Sequence, residues 1–309
     1  MKSRAAAYSA IDGVLLIDKP AGITSHAAVQ CVKRLLQAAK AGHVGTLDPL
    51  ATGLLPVCLG EATKFSVTAA NAEKGYDAEI LLGVTTTTGD LEGDVTERRA
   101  VKVSLEEVHT VLQSFTGTLA QTPPMYSALK YEGKPLYAHA RAGRSVAVQP
   151  RPITIHEIGL RDFSDDRLRI RVRCSKGTYV RVLAEDIGRA LGCGGTLAGL
   201  RRTAVGAIGL DQAVELARLE AMPLQQRKAC LRAIDCLVAS LPEVVLETHA
   251  ARRMLNGQSG RVESAGVAGL IRLYDPSRRF LGIGELQPDG CIAPKRLIAA
   301  SVSETSANP

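Results

Sequence analysis

Proline at position 49 constrains this chain more than any other single residue, because it follows Asp48 inside the run Gly42-His43-Val44-Gly45-Thr46-Leu47-Asp48-Pro49-Leu50-Ala51-Thr52-Gly53. A proline pushes the residue before it toward extended geometry, and the glycines at 42, 45 and 53 permit turns and close approach by a ligand backbone. The segment is therefore a loop that presents a carboxylate. Asp48 becomes the first candidate for chemistry, although a bare Asp-Pro pair also suits an ordinary surface turn.

The flanking sequence supplies a scaffold for that loop. Residues 13 to 20 read as a short buried strand closed by a turn at Pro20-Ala21-Gly22. A helix follows, capped by Thr24 or Ser25, with Ala28, Val29, Val32, Leu35 and Leu36 on one face and Gly42 just beyond its end. Residues 76 to 84 read as a strand in which Tyr76, Ala78, Ile80 and Leu82 share a face, so Tyr76 can point inward. Ser104 and Glu107 have capping-box spacing ahead of an apolar helical face that runs to Phe115 and stops at Gly117. Residues 180 to 191 trace another helix, with Gly192 as its stop. The run Gly192-Cys193-Gly194-Gly195 lacks the spacing of a dinucleotide loop, since position 197 is leucine, and reads as a turn.

Charge is unevenly placed. The net charge is +7, and residues 129 to 181 alone hold twelve Lys or Arg against five Asp or Glu. A localised basic surface attracts polyphosphate partners by neutralisation and counterion release, so nucleic acid is the expected partner. Within 121 to 152, prolines and glycines break regular structure while Lys130, Lys134, Arg141, Arg144 and Arg151 alternate with Tyr126, Tyr131 and Tyr137. Such a segment suits RNA, where cations meet phosphates and aromatic faces stack on unpaired bases, and it equally suits a polar surface insertion. Arg167, Arg169, Arg171 and Arg173 alternate with apolar residues, which predicts a strand with a rail of arginines on one face. That rail can face RNA or pair with carboxylates such as Asp162, Asp165 and Asp166.

Other classes find little support. The seven cysteines form no Cys-x-x-Cys pair and no zinc-finger spacing, so they are expected to be reduced and mostly buried. Neither a metalloprotease motif nor a nucleoside triphosphate phosphate loop occurs, and no metal or cofactor is expected. Asp12 and Asp18 interrupt the N-terminal apolar stretch, and no apolar run is long enough to span a membrane, so the expectation is a cytoplasmic protein. Leu241-Pro242 marks a boundary, after which a short helix (250 to 256) and three glycine-punctuated strands (269 to 297) suggest a small β-rich module. Residues 301 to 309 read as a frayed tail.

Several separated motifs resemble the tRNA pseudouridine synthase B (TruB) family. They are Asp18-Lys19-Pro20, the 42 to 53 loop, Lys74-Gly75-Tyr76, Pro123-Pro124-Met125-Tyr126-Ser127-Ala128-Leu129-Lys130, Lys176-Gly177-Thr178-Tyr179-Val180-Arg181 and Leu200-Arg201-Arg202-Thr203. Two small departures are Thr196, where an aromatic or histidine is commoner, and Ile208, where phenylalanine is expected. The resemblance implies an α/β (α+β) fold, a mixed and largely antiparallel sheet flanked by helices. It implies a catalytic domain over 1 to 241, with 121 to 152 as an RNA-binding insertion, and a PUA-like β-barrel over 242 to 309.

The activity implied is isomerisation of uridine 55 in the T-loop of transfer RNA, on the T-arm stem-loop, by a monomer that needs no protein partner. Asp48 would act at the glycosidic carbon, Arg181 would hold it ionised, and Tyr76 would pack on the flipped base and take its C5 proton. His43 would fill the vacated space, and Tyr179 and Leu200 would complete the pocket. A different reading of the same surface is a non-catalytic tRNA-folding chaperone, which can coexist with catalysis.

Overall fold

The computed structural model describes residues 10–261 and 268–299; the expected tail lies outside them. The first strand, β1 (Gly13–Lys19), is buried at every position but Asp18. Helix α1 (Ser25–Leu35) is capped by Thr24, whose hydroxyl accepts the Ala27 N–H at 3.0 Å. It stops well short of Gly42, because Gln37 adopts left-handed backbone at φ +54° and turns the chain. Gly42 lies instead in β2 (Ala41–His43), paired antiparallel with β3 (Thr52–Leu59). The 44 to 51 loop is thus slung between two hydrogen-bonded strands, which is a firmer mount than a helix end.

The remaining strands of this sheet are β4 (Lys74–Leu82), β5 (Gly117–Gln121), β6 (Arg151–Ser164), β7 (Arg167–Cys174), β8 (Gly195–Val205), β9 (Ile208–Gly209) and β10 (Val214–Glu215). Ten strands join in the order β10-β1-β3-β8-β4-β7-β6-β5, with β2 on β3 and β9 on β8. Two pairings, β1 with β10 and β3 with β8, are parallel and the others antiparallel. The parallel join of β3 to β8 requires glycine at 53: φ is +98°, and a Cβ there would lie 2.3 Å from the Arg202 carbonyl oxygen.

Burial alternates along β4, so Tyr76, Ala78, Ile80 and Leu82 all face the core, as their spacing predicts. Helices α1, α2 (Leu105–Ser114), α3 (Leu136–Arg141) and α4 (Val180–Ala190) complete the elements that matter for the site. The predicted capping box of α2 is present in full. Residues from α1, α2 and α4, among them Val32, Val108, Leu183 and Ile187, pack with Leu15, Leu55, Ile80 and Ile170 into one continuous core. Thr196 is fully buried with its hydroxyl 3.1 Å from that of Thr86, so the small residue at this position supports a hydrogen bond rather than ring packing. Ile208 joins a second core formed by Val14, Leu16, Phe65 and Leu237.

The arginine rail on β7 is paired. Arg167 and Arg169 bind Glu79, Arg169 also reaches Asp162, Arg171 binds Asp77 and Arg173 binds Glu73, at 2.6 to 3.3 Å. The neighbouring strand β4 places Glu79 opposite Arg169 and Asp77 opposite Arg171, while Arg167 and Arg173, opposite Leu81 and Gly75, reach diagonally to Glu79 and to Glu73 just before the strand. The cysteines are free, but only Cys58, Cys174 and Cys193 are buried, while Cys31, Cys230, Cys236 and Cys291 are half-buried, fewer in the interior than expected.

Beyond residue 242 a second sheet forms from β11 (Glu243–Val245), β12 (Gly260–Arg261), β13 (Gly269–Tyr274), β14 (Phe280–Leu286) and β15 (Cys291–Leu297), in the order β11-β13-β14-β15-β12. Helix α5 (Thr248–Leu255) packs Ala251 and Met254 into its core. The second sheet meets the helical turn at Gly60–Phe65, directly after β3, through the Phe65–Phe280 ring contact at 5.4 Å and a Lys64 Nζ bond to the Leu297 carbonyl at 3.1 Å. Among the described residues no helix is long and apolar enough to cross a membrane.

Since exposed paired arginines hold little net energy and little free charge, replacing Arg169 and Arg171 together with alanine is expected to change unfolding free energy by about 1 kcal/mol or less and to leave RNA affinity unchanged. Urea unfolding and filter binding check both expectations.

Candidate active site

A cleft of about 710 Å³ opens where the first turns of α1 and α4 meet the 44 to 51 loop. Asp48, Tyr76, Tyr179, Arg181 and Leu200 all line it, although they are spread over about half the sequence. His43 is not among the lining residues: β2 holds it opposite Val57, half-buried, where burial and the nearby Arg202 push its imidazole pKa down.

Buried donors anchor the loop. Lys19, fully buried at the end of β1, donates from Nζ to the carbonyls of Pro20 and Ile23 at 2.8 Å and reaches that of Pro49 at 3.5 Å. Burial lowers its pKa to about 8, and the charge of Asp48 is the main influence holding it up. Ser25, at the start of α1, donates its hydroxyl to the Leu47 carbonyl and accepts the Leu47 N–H, both at 2.8 Å. These bonds grip the residues on either side of Asp48 and leave its carboxylate, 44% exposed, free to face the cleft.

A second buried cation works from β8. Arg202 is 1% exposed and donates to the carbonyls of Leu54 at 2.8 Å and Gly45 at 3.0 Å. A Cβ on Gly45, whose φ is +71°, would sit 3.1 Å from the Arg202 guanidinium, so glycine keeps that contact open. Burial pushes the Tyr76 phenol pKa up, and the nearby Arg202 guanidinium is the leading influence in the opposite direction. Its neighbour Arg201 pairs outward with Asp18, so the consecutive residues 200 to 202 have three separate destinations.

Arg181 is the centre of the cleft. Its side chain is only 8% exposed, and Nε lies 3.1 Å from Asp48 Oδ2. Nη1 lies 3.5 Å from Asp90 Oδ2 and donates to the Thr88 carbonyl at 3.1 Å, while Nη2 donates to the Tyr126 carbonyl at 2.7 Å. A cation in the first turn of a helix is opposed by the helix dipole, and here two carboxylates and two carbonyls outweigh that cost. Asp90 is 3% exposed and is itself held by the Thr88 hydroxyl and by the Glu92 N–H at 3.0 Å.

Sequence reasoning missed Asp90, Lys19, Ser25 and Arg202 as parts of the site. A lysine inside an apolar strand could have flagged Lys19, because an unpaired buried ammonium is too costly to persist without a purpose. Asp90 gives no such signal, since a threonine- and glycine-rich hairpin carries acidic residues for many reasons.

Two solved structures match this fold: that described as "Structure of H/ACA RNP bound to a substrate RNA containing 2'-deoxyuridine" (TM-score 0.71, 23% identity, 92% of this chain and 84% of the other) and that of a Cbf5-Nop10-Gar1 complex (TM-score 0.71, 25% identity, 92% and 84%). Residues 33–180 match the TruB family pseudouridylate synthase N-terminal domain, 181–246 the tRNA pseudouridylate synthase B C-terminal domain, and 242–298 the C-terminal region of pseudouridine synthase II TruB. The fold and these matches define an RNA-modifying pseudouridine synthase. The tRNA pseudouridine synthase B of Aromatoleum aromaticum is 52% identical over 291 residues (94% of this chain, 93% of that one), and that of Nitrosospira multiformis 50% identical over 299 residues (93% and 96%). The chain belongs to the tRNA pseudouridine synthase B family.

Because Arg181→Met would leave Asp90 buried without its cation, the variant is expected to lose about 3–5 kcal/mol of stability. Asp90→Asn in the same chain is expected to restore part of that loss, and chemical denaturation of the single and double variants checks the coupling.

Proposed function

We propose that this chain converts uridine 55 in the T-loop of transfer RNA to pseudouridine, with Asp48 as the group that acts at the sugar. The observation that supports this most is the Asp48 carboxylate at 3.1 Å from an otherwise buried guanidinium, at the wall of a cleft large enough for a nucleotide. In the reaction the N1–C1′ bond breaks, the uracil turns, and C5 bonds to C1′. C5 then loses a proton and N1 gains one, so no redox partner is needed.

A carboxylate suits this chemistry because it can attack C1′ or stabilise oxocarbenium character there, as in retaining glycoside hydrolysis. Arg181 fixes its direction. The target base sits in folded RNA and must leave the stack, at a cost of roughly a few kcal/mol. His43 fills the space left behind, Tyr179 and Leu200 border the flipped base, and Tyr76 stacks on it. Tyr76 also takes the C5 proton, a role that needs phenolate character, which burial opposes and the nearby Arg202 offsets only in part.

The RNA is gripped by the 121 to 152 insertion on the 1 to 241 catalytic domain, whose Tyr126, Tyr137 and Arg141 reach the cleft, and by the PUA-like 242 to 309 domain. Lys130, Lys134, Arg144 and Arg151 have no ion pair among the described residues, and Tyr126, Tyr131 and Tyr137 are exposed. That free charge also supports a tRNA-folding role beside catalysis. The enzyme acts as a monomer in the cytoplasm and needs no protein partner.

The decisive experiment incubates wild type and Asp48→Asn with an unmodified T-arm stem-loop and maps pseudouridine by carbodiimide labelling, with no cofactor or metal added. Conversion of the T-loop uridine by wild type alone is expected. Tight binding by wild type without conversion would move the assignment to RNA folding. For Tyr76→Phe, RNA affinity is expected to stay at the wild-type value while product formation stalls, and an active variant would reduce Tyr76 to a stacking role.

A further inference from the structure

Gln121 is the last residue of β5 and the first of the 121 to 152 insertion. Its side chain is 5% exposed and makes two hydrogen bonds to one residue 58 positions away. Nε2 donates to the Tyr179 carbonyl at 3.1 Å, and Oε1 accepts the Tyr179 N–H at 2.8 Å. The carboxamide therefore pairs with the Tyr179 backbone as a neighbouring strand would. Tyr179 is the N-cap of α4, with extended backbone and no side-chain cap of its own. Free N–H groups at a helix start need partners from outside the helix, and Gln121 supplies one acceptor at that point. The same carbonyl of Tyr179 accepts the Leu183 N–H at 3.1 Å, closing the first helical turn. Arg181 lies within that turn.

The insertion also reaches Arg181 from the far side of the guanidinium, through the Tyr126 carbonyl at 2.7 Å. The short segment 121 to 126 therefore holds Arg181 twice: at the backbone that carries it and at the tip of its side chain. Nothing in the chemistry of glycosidic bond exchange requires a glutamine, and Gln121 is not among the residues that line the cleft.

We infer that Gln121 is a positioning residue: by clamping the Tyr179 backbone it sets the start of α4, and so aims Arg181 at Asp48. The inference rests on the proposed function, since aim matters only if the Asp48–Arg181 pair does the chemistry. It also explains how the root of an RNA-gripping insertion is joined mechanically to the reacting carboxylate. The two bonds make different demands. The amide N–H₂ must donate and the amide oxygen must accept, and no other side chain of this length does both without first binding a proton.

Two variants separate the demands. Gln121→Glu keeps the shape and the acceptor for the Tyr179 N–H but turns the other contact into carboxylate against carbonyl. Gln121→Met fills the same space and makes neither bond. Each is assayed with wild type on the T-arm stem-loop for single-turnover rate, KM and thermal unfolding, and each is also placed in an Asp48→Asn background to measure RNA affinity without turnover. Misplacing a reacting group by about an ångström can cost on the order of a hundredfold in rate, so Gln121→Met is expected to lose rate on that scale. KM, RNA affinity and the sharpness of the unfolding transition are expected to stay as in wild type, and Gln121→Glu to fall between the two.

The inference is overturned if Gln121→Met turns over at the wild-type rate, or if its loss appears only in KM and RNA affinity. It is also overturned if activity merely tracks the fraction folded, with Gln121→Glu and Gln121→Met equally impaired. A wild-type protein that forms no pseudouridine would instead overturn the proposed function, and the wild-type control distinguishes the two failures.

Discussion

A guanidinium removed from water is tolerable only where opposite charge and carbonyl dipoles meet it, and most of the catalytic end of this molecule follows from satisfying Arg181. Its four partners come from three places outside its own helix α4: Asp48 from the 44 to 51 loop, Thr88 and Asp90 from one hairpin, and Tyr126 from the insertion. Desolvation strengthens each of these interactions, because the local dielectric is lower than that of water. The penalty for losing any one of them rises in step. Arg181 therefore does more than neutralise Asp48. It fixes the relative positions of segments that the sheet alone would leave independent, and it does so at the wall where a nucleotide has to fit.

Lys19 and Arg202 extend the same logic beneath the loop. Both are essentially excluded from solvent, and their side chains donate to backbone carbonyls. Carbonyls in an irregular loop have no ladder to satisfy them, so a buried cation beneath the loop takes the place that a neighbouring strand would occupy. Loops pinned in this way can be irregular and still rigid. Asp48 has that combination, its carboxylate partly exposed to the cleft and yet fixed in direction.

Much of this was legible in the sequence, and the boundary is informative. Periodicity of two along 76 to 82 and the buried run at 13 to 19 identified strands whose inward faces the structure confirms. The Ser104–Glu107 spacing identified a helix start that is capped as expected. Asp48, Tyr76, Tyr179, Arg181 and Leu200 were singled out and share one cleft. Gly42 misled, because a glycine after a helical pattern signals a stop, whereas here Gln37 made the turn and Gly42 entered a strand. Asp90 and Gln121 were invisible for another reason. Each acts through a partner more than fifty residues away, and no local pattern records that β5, α4 and the Thr88–Asp90 hairpin converge.

The distribution of free charge completes the argument. Net charge located the basic excess between 129 and 181, but composition could not separate charge that is spent within the fold from charge that remains available. On the outer face of β7 each arginine meets a carboxylate, so that strand presents alternating signs and a weak net field. The cations of the insertion have no such partners among the described residues. A polyanion approaching the molecule is therefore drawn to the insertion rather than to the sheet, and the insertion is the segment that also touches Arg181 through Tyr126. Long-range attraction and local alignment converge on the same few residues, which under the proposed function would give RNA capture a mechanical route to Asp48.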